Sequence, residues 1–174
     1  MIPFVSIVMM RQDDPAKCTA ARMVRFGLAR AVRRIHPRHI VLDPYADKVL
    51  LPRDGRRTIC AVDCSWKLAA GQFRNAENGR RLPPLLAGNP INYSKIGMLS
   101  TAEAVSSALF ITGRRDAASS ILDKFRWGHT FLELNAGILE EYSEARNSAD
   151  IQHISESYGL AVALPAAANG SSQR

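Results

Sequence analysis

Short apolar runs, each closed by a polar or proline-containing loop, fill the first half of the chain. Residues 4–9 (FVSIVM) read as a buried strand, and RQDDPAKC as the loop after it. From Thr19, a candidate N-cap, the pattern predicts a helix over residues 19–35. Val24, Leu28, Val32 and Ile35 recur at helical spacing, and Arg22, Arg25, Arg30 and Arg33 fall on the opposite face. HIVLDP (39–44) is a second strand that stops at Asp43-Pro44, and KVLLPRDGRR a third followed by a turn at Asp54-Gly55. TICAV (58–62) is apolar throughout and runs into Asp63, after which a helix is expected over residues 65–73. RLPPLLAG is apolar but carries two prolines, which limits it to a short or edge strand.

The pattern changes from Asn89. NPINYSKIGMLS reads as a loop, and Ser100-Thr101-Ala102-Glu103 as a capping box that opens a helix closing at Gly113. Asp116, Thr130 and Ser148 are the expected caps of three further helices, in AASSILDKF, FLELNAGILEEYSEAR and DIQHISESYG. The tail 161–174 reads as disordered. Strands alternating with helices in residues 1–85 predict a parallel α/β sheet with crossover helices, and residues 86–160 an all-α second half. Open parallel sheets bind ligands beyond the carboxyl ends of their strands. Asp43-Pro44, the stretch from Asp63 to Trp66, and the loop after Leu85-Leu86 are such ends, and a parallel sheet gathers them on one edge.

Composition narrows the possibilities. The chain has 174 residues, 47% of them hydrophobic, enough for one compact domain or two tightly packed halves. No run of eighteen apolar residues is present, so no membrane span is expected. The start lacks a basic n-region and a small-residue cleavage site, and reads as a strand rather than a signal peptide. Cys18, Cys60 and Cys64 are an odd count without a CxxC pair, which suits reduced thiols in a cytoplasmic protein; the four histidines supply no spaced ligand pairs for zinc, so no metal is expected. The net charge of +7 is unevenly spread: residues 1–85 hold 16 Lys+Arg against 7 Asp+Glu, residues 86–174 hold 7 against 9. That asymmetry points to an anionic partner, nucleic acid first, although a solvated basic surface would look the same.

The chemistry on offer is a carboxylate and an aromatic wall. Asp63 as a plain helix cap and Trp66 as a packing residue are the bland readings; together at a sheet edge they suit a small organic ligand. GxGxxG, GxxxxGK[ST] and GxSxG are all absent, which disfavours ordinary dinucleotide, P-loop and hydrolase sites. His129, at a predicted helix start without an evident partner, reads as structural.

The motifs DCSW (63–66), RLPPLLAGNPINY (81–93), LSTAEAVSSAL (99–109) and FRWGHTFLELNAGILEEY (125–142), in that order and spacing, resemble one family over nearly the whole chain. It is the small-subunit ribosomal RNA aminocarboxypropyltransferases, ribosome-biogenesis proteins of archaea and eukaryotes. The resemblance implies a SPOUT-like α/β half with a deep trefoil knot and a helical second half. It also implies a reaction: the 3-amino-3-carboxypropyl group of S-adenosylmethionine passes to N3 of a pseudouridine, N1-methylated in many members, and methylthioadenosine leaves.

Carried onto this sequence, the resemblance makes Leu42, Pro44, Trp66, Leu86, Leu99 and Ala104 the apolar walls around adenine and methyl, with Ala69 completing the methyl recess. The Val62 carbonyl would hold the ribose, the Leu86 backbone the adenine edge, and Thr19 and Thr101 the polar end of the donor. Asp63 would act either as a general base at N3 or as a negative charge facing the sulfonium. Many relatives have an aromatic residue where Gly97 stands, so only a backbone contact is expected there. Lys17, Arg22, Arg25 and Arg30 are the candidates for rRNA backbone contacts. The lack of a long polar tail favours an archaeal-type protein, and a monomer is expected. The competing expectations are a SPOUT-type rRNA methyltransferase and a non-catalytic RNA-binding assembly factor.

Overall fold

The computed structural model describes residues 5–9, 18–63 and 78–160. The expected helix over 65–73, with Trp66 and Ala69, as well as Lys17 and the tail 161–174, lie outside the described residues.

Among the described residues five strands form one sheet: β1 (Val5–Met9), β2 (Arg30–Val32), β3 (Ile40–Leu42), β4 (Ile59–Asp63) and β5 (Gly79–Arg80). Their order is β2-β1-β4-β3-β5, and every pairing is parallel. The two central strands run in register from Val5↔Ile59 to Met9↔Asp63. Val5, Ile7, Ile40, Ile59 and Cys60 are almost wholly buried, as strands covered on both faces require. The chain leaves β1 toward β2 on one side, whereas β4 connects to β5 on the other. Adjacent strands whose connections diverge open a crevice at their carboxyl ends. Here those carboxyl ends are Met9 and Asp63.

The first helix is shorter than its apolar periodicity predicts. Helix α1 (Thr19–Arg25) ends at Phe26. Gly27 follows at φ +67, its N–H donates to Val24 O, and the Leu28 N–H donates to Met23 O. This is a Schellman stop, which needs a residue that tolerates a left-handed backbone. The chain then turns back, and Arg30 lies on edge strand β2 rather than on the helix. Ile35, predicted to face the core, is exposed. The N-cap of α1 is Cys18, not Thr19: its Sγ accepts from the Ala21 N–H at 3.3 Å.

The third predicted strand is not formed either. Val49 makes a single bridge to Arg81, and Pro52–Arg56 is a 3-10 turn closed by Asp54, whose Oδ2 accepts from the Leu51 N–H. Proline at its first position suits a turn of helix better than a ladder. RLPPLLAG supplies only bridges at Arg81 and Leu86, as its prolines require.

Helix α2 (Thr101–Ile111) opens on the predicted capping box of Ser100 and Glu103 and closes at Gly113, φ +83. Helices α3 (Arg115–Leu122), α4 (Gly128–Glu144) and α5 (Ser148–Ser157) follow. Their caps differ from expectation. Asp116 lies inside the first turn of α3, whose N-cap is Arg114. Helix α4 begins before Thr130 because Phe125–Trp127 forms a tight turn, in which the Gly128 N–H donates to Phe125 O. A Cβ on Gly128 would meet Leu122 O at 2.1 Å, so only glycine fits there. Asn147 displaces Ser148 as the cap of α5, accepting from the N–H groups of Ala149 and Asp150. Helix α2 packs on β4, α1, α3 and α4 and so links the sheet to the later helices. Its Ala102, Val105, Ala108 and Leu109 are fully buried, and Phe131, Leu139 and Tyr142 meet that core from α4.

Candidate active site

Four residues from three separate stretches meet at the carboxyl end of β4. Asp63 ends β4 and is 9% exposed. Its Oδ2 accepts a hydrogen bond from the Cys18 thiol at 3.2 Å, and its Oδ1 accepts from the Thr101 hydroxyl at 3.5 Å. Thr19 Oγ1 accepts from the Ala102 N–H at 3.3 Å. The amino ends of α1 and α2 are thereby stapled together around one carboxylate. Backbone N–H groups at such ends favour negative charge. Burial pushes the Cys18 thiol up to about 11; the Ala21 N–H works against this, and the Asp63 carboxylate adds to it. Cys18 therefore stays protonated at neutral pH and serves as a donor.

The expected apolar wall comes from two directions. Leu42 is buried and Pro44 half-buried at the carboxyl end of β3, beside β4. Asp43, between them, is buried; that burial raises its carboxyl above the ordinary range, against a hydrogen bond from the Tyr45 N–H. Leu86, Gly97 and Leu99 belong to a loop that folds back on itself: the Gly97 N–H donates to Leu85 O and the Ala87 N–H to Lys95 O. Thr101 and half-buried Ala104 follow on α2. Gly97 has φ +73, which explains glycine at this position on conformational grounds alone.

Two polar residues hold this wall. Glu103 is fully buried, and its carboxylate accepts four hydrogen bonds, from the N–H groups of Gly88, Asn89 and Ser100 and from the Asn89 side-chain amide. The capping box foretold only the Ser100 bond. Asn135 of α4 accepts the Leu86 N–H at 2.9 Å and donates to Leu86 O at 2.9 Å. The Leu86 N–H is therefore taken, and its carbonyl keeps one lone pair for a ligand. An asparagine inside a helical apolar pattern was the only sequence signal for this clamp. Gly88 touches the same helix: a Cβ there would meet Phe131 Cα at 2.6 Å.

The basic candidates divide. The Arg22 guanidinium donates to Lys124 O at 2.8 Å and covers the Phe125 ring at 4.6 Å, so it ties α1 to the α3–α4 turn. Arg25 and Arg30 are exposed. His129 is exposed and has a partner after all, Glu133 one helical turn on, at 3.1 Å.

A parallel α/β sheet with a buried carboxylate at its switch point, walled by a helix-anchored loop, defines a small-ligand-binding protein of the open-sheet class. Residues 40–159 match the family described as "Ribosome biogenesis protein, C-terminal". The chain belongs to that family. It is 46% identical over 155 residues to a 16S rRNA aminocarboxypropyltransferase of Methanosarcina mazei, covering 84% of this chain and 90% of that one. Its identity to the protein of the same name from Halobacterium salinarum is 42% over 149 residues, with 84% and 90% covered. Among solved structures it resembles the SAM-dependent rRNA acp-transferase Tsr3 from Vulcanisaeta distributa, with a TM-score of 0.80, 39% identity, and 92% and 91% of the two chains covered.

Residues 5–36 also match a possible Fer4-like domain of RNase L inhibitor. An iron–sulfur cluster needs about four thiolates. This segment holds one cysteine, Cys18, which is engaged with Asp63, so the residues do not fit a cluster. Among the described residues no helix is long and apolar enough to cross a membrane.

Proposed function

We propose that this protein transfers the 3-amino-3-carboxypropyl group of S-adenosylmethionine to N3 of a pseudouridine, N1-methylated or not, in small-subunit rRNA. The observation that carries the proposal is Asp63, a buried carboxylate at the switch point, with the amino ends of two helices stapled around it. Relatives at 39–46% identity are named 16S rRNA aminocarboxypropyltransferase or SAM-dependent rRNA acp-transferase, which supports the donor, the group transferred and the class of acceptor.

The chemistry is one displacement. N3 bonds to the carbon of the aminocarboxypropyl chain next to the sulfonium, the bond from that carbon to sulfur breaks, methylthioadenosine leaves, and the N3 proton is lost to water. Which carbon is attacked depends on which one faces the nucleophile, so the pocket acts by orientation. Leu42, Pro44, Leu86, Leu99 and Ala104 provide apolar walls for adenine and methyl. Trp66 and Ala69 complete this set in the proposal. The Val62 carbonyl is assigned to the ribose, and Gly97 contributes backbone only.

The two threonines have complementary vacancies. Thr19 Oγ1 already accepts the Ala102 N–H, so its own proton is left to donate, which suits the donor's carboxylate. Thr101 already gives its proton to Asp63, so its oxygen is left to accept, which suits the donor's ammonium. Asp63 is assigned the electrostatic role of a fixed negative charge opposite the sulfonium, because two donors already occupy its oxygens.

Arg25 and Arg30, with Lys17, are proposed contacts to the RNA backbone. Tyr93, on the exposed tip of the loop that holds Leu86 and Gly97, offers a face for stacking an unpaired base. The SPOUT-like knot, an all-helical second half, a monomeric state and a cytoplasmic location belong to the same proposal. Free, buried thiols at Cys18 and Cys60 support a reducing compartment.

The test uses an rRNA-loop transcript containing pseudouridine and two labelled donors. Label reaching RNA from the carboxyl-labelled donor alone is expected. Label from the methyl-labelled donor alone would make the protein a methyltransferase. The by-product separates the two reactions independently: methylthioadenosine for the transferase, S-adenosylhomocysteine for the methyltransferase.

A further inference from the structure

The opposite edge of the sheet carries a second concave site. Residues 36–39 lead into β3 and residues 56–58 into β4, so this site lies at the amino ends of the strands. An open cleft of about 570 Å³ is lined there by His36, Pro37, Arg38, His39, Arg56, Arg57 and Thr58. Among the described residues three arginines and two histidines line it, and no carboxylate does.

The cleft is braced. Asn78 joins its two sides, accepting from Arg57 Nη1 at 2.8 Å and donating to Pro37 O. Arg114 grips the second side from below through Arg57 O and Gly55 O. His36 Nδ1 accepts the Arg38 N–H, so in neutral His36 the other ring nitrogen carries a proton to donate. The His36 and His39 rings lie 5.1 Å apart between centroids, and burial together with His36 lowers the His39 pKa. The charge of the cleft comes from Arg38, Arg56 and Arg57, and an anion is the ligand that suits it. Among the described residues the side chains of Arg38 and Arg56 have no ion pair, and both are exposed. Forked donors left unsatisfied in an acid-free cleft match the oxygens of a phosphate.

We propose that this cleft is a phosphate-binding site that takes a backbone phosphate of the bound rRNA, at a distance from the reacting base. It rests on the RNA-modifying reading above and adds a second anchor to it. Five-residue β4 separates the cleft from Asp63 by roughly 16 Å along the strand. That is on the order of five stacked nucleotides. Because β4 is central and buried, an RNA segment whose base reaches Asp63 takes the longer way over the edge strands, so the phosphate in the cleft lies more than about five nucleotides from that base.

The test compares the wild type with R38Q/R56Q, which leaves Asn78, Arg57 and Arg114 in place, and with R38K/R56K. RNA affinity is measured over a range of salt, donor affinity by calorimetry, and inorganic phosphate binding by phosphorus NMR line broadening. R38Q/R56Q is expected to weaken RNA binding about tenfold or more at low salt. It should also make the salt slope shallower by roughly 1.4, two contacts at about 0.7 each, with phosphate broadening lost and donor affinity unchanged. R38K/R56K should recover the slope but only part of the affinity. Unchanged RNA affinity and slope overturn the proposal. If phosphate broadening still depends on the arginines in that case, the cleft takes a free anion and not RNA. If the wild type binds RNA through the cleft but transfers no label, the transferase reading fails and the cleft stands.

Discussion

Asp63 and Glu103 are both buried carboxylates, and they differ in the groups that hold them. Glu103 is saturated by four donors that all belong to the protein, so it is structural. Glu103→Gln places an amide where an acceptor is required and turns at least one N–H toward another. A loss of roughly 2–3 kcal/mol is expected, read by denaturant unfolding. Asp63 accepts from a thiol and a hydroxyl, flexible donors at 3.2 and 3.5 Å, and ends β4. Asp63→Asn keeps the volume and removes the charge. Donor affinity is expected to fall about tenfold, close to 1.4 kcal/mol, as calorimetry reads it. A variant that binds donor normally and loses only a pH-dependent limb of turnover would show that Asp63 is a base instead.

At the scale of elements, the loop from Leu86 to Leu99 is where local conformation and ligand wall are the same problem. Gly97 adopts φ +73 with open space around its missing side chain. The Cβ of Gly97→Phe therefore meets no clash, yet the substitution is expected to lower stability by about 1–2 kcal/mol from backbone strain, seen as a lower melting temperature. The pattern of apolar positions was enough to place β1, β3, β4 and α2, because a buried parallel strand and a capped helix each leave a local signature. It misread α1, because the apolar spacing continued through Phe26-Gly27 while the glycine ended the helix. The edge location of Asp63 was legible from the strand's end. The Cys18 cap, the Asn135 clamp on Leu86 and the four-fold use of Glu103 were not, since each joins residues distant in sequence. Nothing near Asn135 in the chain announces Leu86.

For the molecule as a whole, buried ionisable groups set the alkaline limit. Cys18 is raised to about 11 and Tyr142 to about 12, in both cases chiefly by burial. The unfolded chain releases these protons near 9 and 10, before the folded one does. Above pH 9 the native state thus binds more protons than the unfolded state, and stability falls as pH rises toward 12. Cys18→Ser, which keeps an N-cap oxygen and a donor to Asp63, is expected to flatten the decline between pH 9 and 11 in denaturant titrations. The central strand pair also governs when the site can exist. Val5 has no central partner until Ile59 arrives, and Asp63 lacks its Thr101 contact until α2 is in place. On a ribosome still making this chain, the central side of the first strand waits through three connections, β1 to β2, β2 to β3 and β3 to β4, and the Thr101 contact forms only once the start of α2 has been made. Such non-local pairing is slow to form. A donor that recognises only the finished pocket has nothing to bind on the way up, so its expected effect is on the lifetime of the folded protein and not on how fast it is reached.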